Sequence, residues 1–395
     1  MKVLHFFSNK RWTGPAEPTL NLCVALRRLG VDADLAYSPG SGDRLNQIVE
    51  EARDKGVDPI LEFHLEKHRN PLKNWEDRRT LARIAAEGGY DLIHCHLNNA
   101  HLIATRGARR HGLPVIRQSY HGTGFSGPWP YRRMLKKTAH LIEPSTIAAE
   151  HDARKYHYDD SKISVIPNAV DTERFDPRRD MPDARRWLEI PHDAFVVGIV
   201  ARLQTHRHYG DFFEAFRVLA QERVNVHAIV VGRGTKQDQV ALNPVKELGL
   251  EDRVHFSGYV TDDNYVGMLR AFDVKVYLVP GSDETCRAVR EAMAMGKPVI
   301  AADRGMLREI VDDGKTGVIC DGTAEGLLEA LRRFAQKPED AREMGEAARK
   351  KAEREFALDA QARAVLRVYE KVLGNGPSRV QQQSRSERAR NDQGE

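Results

Sequence analysis

The chain has 395 residues, of which 41% are apolar and 30% charged, a balance typical of a globular protein large enough for two cores. Its 61 basic and 57 acidic side chains leave a formal charge of +4, too mild to imply nucleic acid. Four cysteines at 23, 95, 286 and 320 form no CxxC pair, so neither a disulfide framework nor a zinc site is suggested, and a reducing cytoplasm is the simplest setting.

The first run, KVLHFF, is too short and too quickly followed by polar residues to be a signal peptide. No stretch approaches the roughly 18 apolar residues of a membrane span. A soluble chain, or one resting on a membrane surface, is expected. Further β-like runs follow: DADLAYS, DLIHCHL, PVIRQSY, HLIEPS and ISVIPNA, then FVVGIVAR, VHAIVVG, VHFSGY, VKVYLVP, KPVIAAD and GVICD. Helical patterns separate them, which predicts βαβ units and parallel sheets covered on both faces. The series divides near residues 168–192, where prolines at 177, 182 and 191 and many charges read as an interdomain crossing. The expected organisation is a first domain over 1–168 and a second over 175–355. Helical residues run from about 324 to 373, and a tail at 375–395 reads as disordered for want of apolar residues.

Ligands of such sheets bind at the carboxyl ends of strands, where loops enter helix N-termini. In the first domain TGPAE supplies such a loop, with Gly14 able to approach a ligand closely. DLIHCHL puts His94 and His96 on one face of a strand, and His121 stands just beyond another strand. No acid cluster accompanies the histidines, so no metal is expected. GFSGPWPYRRMLKK sets Trp129 and Tyr131 beside Arg132, Arg133, Lys136 and Lys137, a composition suited to an anionic membrane or simply to a solvated helix.

In the second domain ARLQTHR follows a strand and offers Arg202 and Arg207 as cations for a diphosphate. VGRGTKQ lacks the third glycine of a dinucleotide fingerprint. GSDETCRAVREAMAMG joins a strand end to a helix whose free N–H groups favour phosphate, with Asp283 and Glu284 suited to sugar hydroxyls. Glu291 lies on the second turn among small residues, either solvated or holding a partner such as a ribose diol.

Together these segments resemble the retaining GT-B glycosyltransferases of the family-four type, over about residues 1–373. TGPAE, DLIHCH, YHG, IPNAVDTERF and ARLQTHR occur in the family's order, and EAMAMGKPVIAADRGMLREIVDDGKTG is the most specific of the matches. The resemblance implies an α/β GT-B fold: two doubly wound, Rossmann-like parallel-sheet domains with a cleft between them and a last helix, about 358–373, crossing back to the first. It implies a nucleotide-sugar donor, such as a UDP- or GDP-sugar, on the second domain and a glycan or glycolipid acceptor on the first, with no cofactor. Glu291 would hold the ribose, and Asp283 and His121 the sugar. Arg202, Arg207 and the backbone at Cys286, Arg287 and Ala288 would meet the diphosphate. Departures fall at Asp283, Glu284, Thr285 and Cys286, where the family writes E-G-F-G, and at His208, where it writes glycine. The expected activity is hexosyl-type transfer in lipopolysaccharide or cell-envelope polysaccharide synthesis, in the cytoplasm or at the inner membrane face. A non-catalytic nucleotide-sugar-binding protein and a GT-B-fold nucleotide-sugar epimerase are the alternatives.

Overall fold

The computed structural model describes residues 1–10, 14–39, 47–122, 124–125, 130–223, 225–280 and 286–374. The chain divides into two compact units, one formed by residues 1–168 with the segment from Leu358 onward, the other by 169–357. Each contains one six-stranded, wholly parallel sheet.

In the first unit the strands are β1 (Lys2–Phe6), β2 (Asp32–Ala36), β3 (Leu92–Cys95), β4 (Val115–Gln118), β5 (His140–Glu143) and β6 (Ile163–Val165), in spatial order β2-β1-β3-β4-β5-β6. β3, β4 and β5 are buried at every position, as strands covered by helices on both faces must be. Strand order reverses between β1 and β3, whose register sets His5 opposite His94. The helix Leu358–Leu373 belongs to this unit. Its Ala362, Val365, Leu366 and Tyr369 pack with Leu22, Cys23 and Leu26 of the helix Ala16–Arg28 and with Val3 and Leu92 of the sheet. Gln361 Nε2 donates to the Pro167 carbonyl at 2.9 Å, so the returning chain is fixed where the first series of strands ends.

The second unit holds β7 (Phe195–Val200), β8 (Val226–Val231), β9 (Val254–Gly258), β10 (Val274–Tyr277), β11 (Val299–Ala302) and β12 (Gly317–Cys320), ordered β12-β11-β10-β7-β8-β9. Here the reversal lies between β7 and β10. One face packs against Phe212, Phe213 and Phe216 of the helix Tyr209–Glu222 and Leu327, Leu331 and Phe334 of the helix Ala324–Gln336. The other packs against Val289 and Met293 of the helix Arg287–Ala294 and Val266 and Leu269 of the helix Asp262–Ala271. The proline-rich crossing segment from Ala169 joins this unit. Arg349 secures it, donating from Nη1 to Phe175 O at 2.5 Å and to Ala294 O at 2.6 Å, and from Nη2 to Thr172 O at 3.1 Å.

Candidate functional site

Two glycines shape the carboxyl edge of the second sheet. A Cβ on Gly232 would lie 2.1 Å from the Ala201 carbonyl oxygen, and one on Gly234 2.0 Å from that of Leu203. VGRG therefore lets the loop after β8 press on the loop after β7, a packing requirement and not a cofactor fingerprint. The loop so supported carries both arginines. Arg202 is exposed, whereas Arg207, in the short turn Thr205–Arg207, is only 8% exposed. Arg207 Nη1 donates to Val279 O at 2.9 Å, bridging the ends of β7 and β10 at the switch point, while its Nε is buried without a partner. A guanidinium held there by one carbonyl keeps most of its donors for an anion.

After β10 the chain enters residues 281–285, so Asp283, Glu284 and Thr285 lie outside the described residues. It re-emerges at Cys286, buried, with φ 51° and ψ 41°, at the head of the helix Arg287–Ala294. His208, which heads the helix Tyr209–Glu222, has φ 57° and ψ 38°. Two of the three positions where the resemblance expects glycine, 208 and 286, thus have left-handed backbone, which favours glycine and costs other residues of order 1–2 kcal/mol. His208 Nδ1 meets Asp211 Oδ2 at 2.6 Å, a local contact that offsets part of the cost.

Glu291 is not a solvated helix residue. It is 4% exposed, and Tyr265 donates to its Oε2 at 2.5 Å and Arg287 Nε to its Oε1 at 2.7 Å. Burial, the Glu291 charge and the bond to it push the Tyr265 hydroxyl well above its ordinary range, so it stays a donor. Lys275 of β10 lies on the same side of the sheet, fully buried, its Nζ without a hydrogen-bond partner. Burial holds its pKa well below the usual lysine value, against the pull of the Glu291 carboxylate. Sequence reasoning missed Tyr265, Lys275 and the pairing role of Arg287. The spacing of 287 and 291 was the available signal for the last of these, since i,i+4 residues share a helix face. Ala288 is half-buried on the first turn of the same helix.

In the first unit Gly14 lies exposed in the turn before the helix Ala16–Arg28, and His121 is exposed just after β4. Their segments are joined by a buried chain of hydrogen bonds. Thr19 Oγ1 meets Tyr120 Oη at 3.0 Å, Tyr120 Oη meets His96 Nδ1 at 2.9 Å, and His96 Nε2 meets His5 Nδ1 at 2.9 Å. Tyr369 Oη completes it, 3.4 Å from His5 Nε2 and 2.6 Å from His94 Nδ1. His5, which sequence reasoning missed, thus joins His94 and His96 in a fully buried trio with ring nitrogens within 4.8 Å of one another. Burial keeps all three neutral, with His5 lowered to about 3 and the other two well below the usual value. Their nitrogens are engaged mainly with each other and with tyrosine hydroxyls, and no carboxylate balances the trio.

Residues 180–351 match the family Glycosyl transferases group 1, and residues 14–174 match Glycosyltransferase Family 4. The chain is a GT-B glycosyltransferase of the family-four type. Among curated proteins the enzyme is 28% identical over 306 residues to the D-inositol 3-phosphate glycosyltransferase of Streptomyces scabiei, covering 71% of this chain and 68% of that one. It is 29% identical over 318 residues to D-inositol 3-phosphate glycosyltransferase 2 of Catenulispora acidiphila, covering 72% of each. In fold it resembles a glycosyltransferase from Rickettsia africae, with a TM-score of 0.79 at 18% identity over 95% of this chain and 99% of that one. It also resembles Anabaena HepE in complex with UDP, with a TM-score of 0.75 at 19% identity over 94% of this chain and all of the other.

Proposed function

We propose that the enzyme transfers a sugar from a nucleotide-sugar donor, held by the second unit, to a glycan or glycolipid acceptor held by the first, with retention at the anomeric carbon. The observation that carries this reading is the pair formed by Glu291 and Arg207: a buried carboxylate on a helix that follows one strand of the switch point, and a buried, under-bonded guanidinium on the loop that follows the other. Glu291 accepts the ribose hydroxyls. Arg207, Arg202 and the N–H groups of Cys286, Arg287 and Ala288 neutralise the diphosphate as it leaves. Asp283 contacts the donor sugar, as does His121 from the first unit. The leaving phosphate takes the acceptor proton, so positioning and charge stabilisation supply the rate and no strong base is required.

Arg287 has two roles in this scheme. Without donor it neutralises Glu291; when ribose hydroxyls bind there, its guanidinium becomes available to the phosphates one turn away. A UDP-sugar is the favoured donor, since HepE has been crystallised with UDP and with UDP-glucose. An acceptor carrying phosphate or a lipid-linked glycan fits the relatives, which include D-inositol 3-phosphate glycosyltransferases and the lipopolysaccharide outer core galactosyltransferase WaaB. The exposed Arg133, Lys136 and Lys137 support contact with an anionic inner membrane face from the cytoplasm. No helix among the described residues is long and apolar enough to cross a membrane.

The test is incubation with a panel of nucleotide sugars, scoring nucleoside diphosphate release and product anomeric configuration. Glu291→Gln keeps a partner for Tyr265 but loses the charge-assisted bonds, and its donor KM should rise about 10- to 100-fold. Wild-type donor kinetics in this variant would remove Glu291 from the site. Interconversion of the nucleotide sugar without transfer would make the enzyme an epimerase instead.

A further inference from the structure

Behind the segment that bears His121 stand two buried acids outside the motifs. Glu143 ends β5 and is 0% exposed; the Ser119 hydroxyl faces its carboxyl, and no other donor among the described residues reaches its two oxygens apart from the acid described next. Asp152, in the helix Thr146–Tyr156, is also 0% exposed, and the two carboxyls lie close enough to act on each other. Asp152 accepts only at Oδ1, from Phe125 N at 2.9 Å and from His151 Nδ1 at 2.7 Å, while its Oδ2 is buried and bare.

These acids hold the chain beyond β4. A Cβ on Gly124, whose φ is 91°, would lie 2.6 Å from Asp152 Oδ1 and 2.5 Å from His151 Nδ1, so the backbone rests directly on the pair. Ser145 Oγ donates to Gly122 O at 2.7 Å, and Tyr156 Oη and Lys155 Nζ donate to Phe125 O at 3.0 and 3.4 Å. The Arg117 guanidinium sits 5.1 Å from the Phe125 ring and spends Nη1 on the Gln118 and Cys95 carbonyls and Nη2 on Asn98. His121 lies inside this anchored stretch, its N–H directed to Ser119 Oγ at 3.4 Å.

We propose that Glu143 and Asp152 share one proton, Glu143 donating to Asp152 Oδ2, and that this acid pair is a positioning device for the backbone that presents His121. Two bare anions in a buried pocket repel, and each leaves acceptors unsatisfied; one proton satisfies both at once. It resides on Glu143, because Asp152 already accepts from two donors that favour its charged form. The groups facing the pair are Arg117 from β4, Ser119, and His151 and Lys155 from the helix. Burial and the Asp152 charge push the Glu143 carboxyl well above its ordinary range, and the Arg117 charge opposes them. Burial also raises Asp152, against His151 and the Phe125 N–H.

The sign follows directly. Folding retains a proton on Glu143 that the unfolded chain has lost, so the pair's contribution is complete in acid and disappears as pH rises through the raised Glu143 pKa. Above it, Asp152 is driven from Phe125 N, and the stretch loosens.

The experiment compares the full chain with Glu143→Gln, whose amide donates to Asp152 Oδ2 without a titrating proton. Hydrogen-exchange protection at Phe125 in the wild type should fall about tenfold as pH rises through the raised Glu143 pKa, and less than about twofold over the same range in Glu143→Gln. Asp152→Asn, which removes the second charge, should flatten the profile in the same way and serves if Glu143→Gln folds poorly. An alkaline loss of the same size in either variant overturns the proton-sharing pair. The link to turnover rests on the glycosyltransfer reading, and the exchange measurement does not. An alkaline fall in acceptor kcat/KM that Glu143→Gln abolishes supports the positioning of His121. If exchange flattens while the fall in kcat/KM persists, the pair shares a proton but does not position the reacting segment.

Discussion

The two sheets share a topology and differ in the polar groups buried beside their switch points. On one face of the first sheet a neutral chain of histidines, tyrosines and a threonine satisfies nearly every group from within, through five contacts of 2.6 to 3.4 Å. At the switch point of the second, Arg207 Nε and Lys275 Nζ are buried with no partner, and Glu291 is buried on the helix that follows β10. A bare guanidinium beside a strand end does not serve stability, since its desolvation is not repaid. An anionic ligand would supply the partner that Arg207 lacks, whereas the histidine–tyrosine chain of the first sheet leaves only His94 Nε2 without a partner among its ring nitrogens.

The largest test of that contrast is Arg207→Met. The side chain keeps an apolar stem and loses the cation, so turnover should fall about 10²- to 10³-fold, the range expected when one preorganised donor to developing charge is lost. Thermal stability without donor should hold or rise. A fall in stability with unchanged kcat would show that Arg207 serves only as a strap to Val279.

The fold was legible because its signal is local. All twelve strands lie within the runs that hydrophobic pattern marks, since strands buried on both faces must be continuously apolar. The returning helix Leu358–Leu373 was legible from its apolar stripe and from family resemblance. Site residues were read less completely. Glu291 and Arg207 stand in recognisable motifs, but their partners come from elsewhere in the chain: Tyr265 lies 26 residues before Glu291, and Val279 lies 72 after Arg207. His5 was missed because its meaning arises only from parallel register with His94, 89 positions further along the chain. The lost glycines at 208 and 286 suggested an altered loop, yet the backbone at both keeps the left-handed conformation that glycine favours. Asp283 lies outside the described residues, and its role rests on the sequence alone.

A second test uses acid. Burial lowers His5 to about 3 and His140 to about 4, and His94, His96 and His101 fall well below the usual value, all in the first unit. The second unit has only His227, lowered to about 4, and His255 in this class. Below about pH 6.5 the unfolded chain binds protons that the folded histidines refuse, so stability falls with pH by up to about 1.4 kcal/mol per unit per histidine. Glu143 and Asp152, whose pKa values are raised, act in the opposite sense, but the histidines outnumber them. Peptides spanning β1 and β3 should therefore lose hydrogen-exchange protection at higher pH than those spanning β7 and β8. Simultaneous loss would mean that the two units unfold as one.

The smallest effect expected is the most specific. Lys275 is a buried amine whose pKa burial holds well below the ordinary lysine value, so between the two values the unfolded state takes up a proton that the folded state lacks. Stability from this residue therefore rises with pH until about 10.4, the ordinary lysine pKa, and is lowest at and below the lowered folded value. Lys275→Met fills similar space without a polar group and should stabilise the enzyme by about 1–3 kcal/mol at neutral pH. The gain should shrink as the pH is raised, a dependence that better packing alone would not show. Tyr265 and Arg287 still hold Glu291 in this variant, so donor affinity should persist. A destabilised Lys275→Met with weakened donor binding would instead mean that the amine belongs to the charge balance around Glu291.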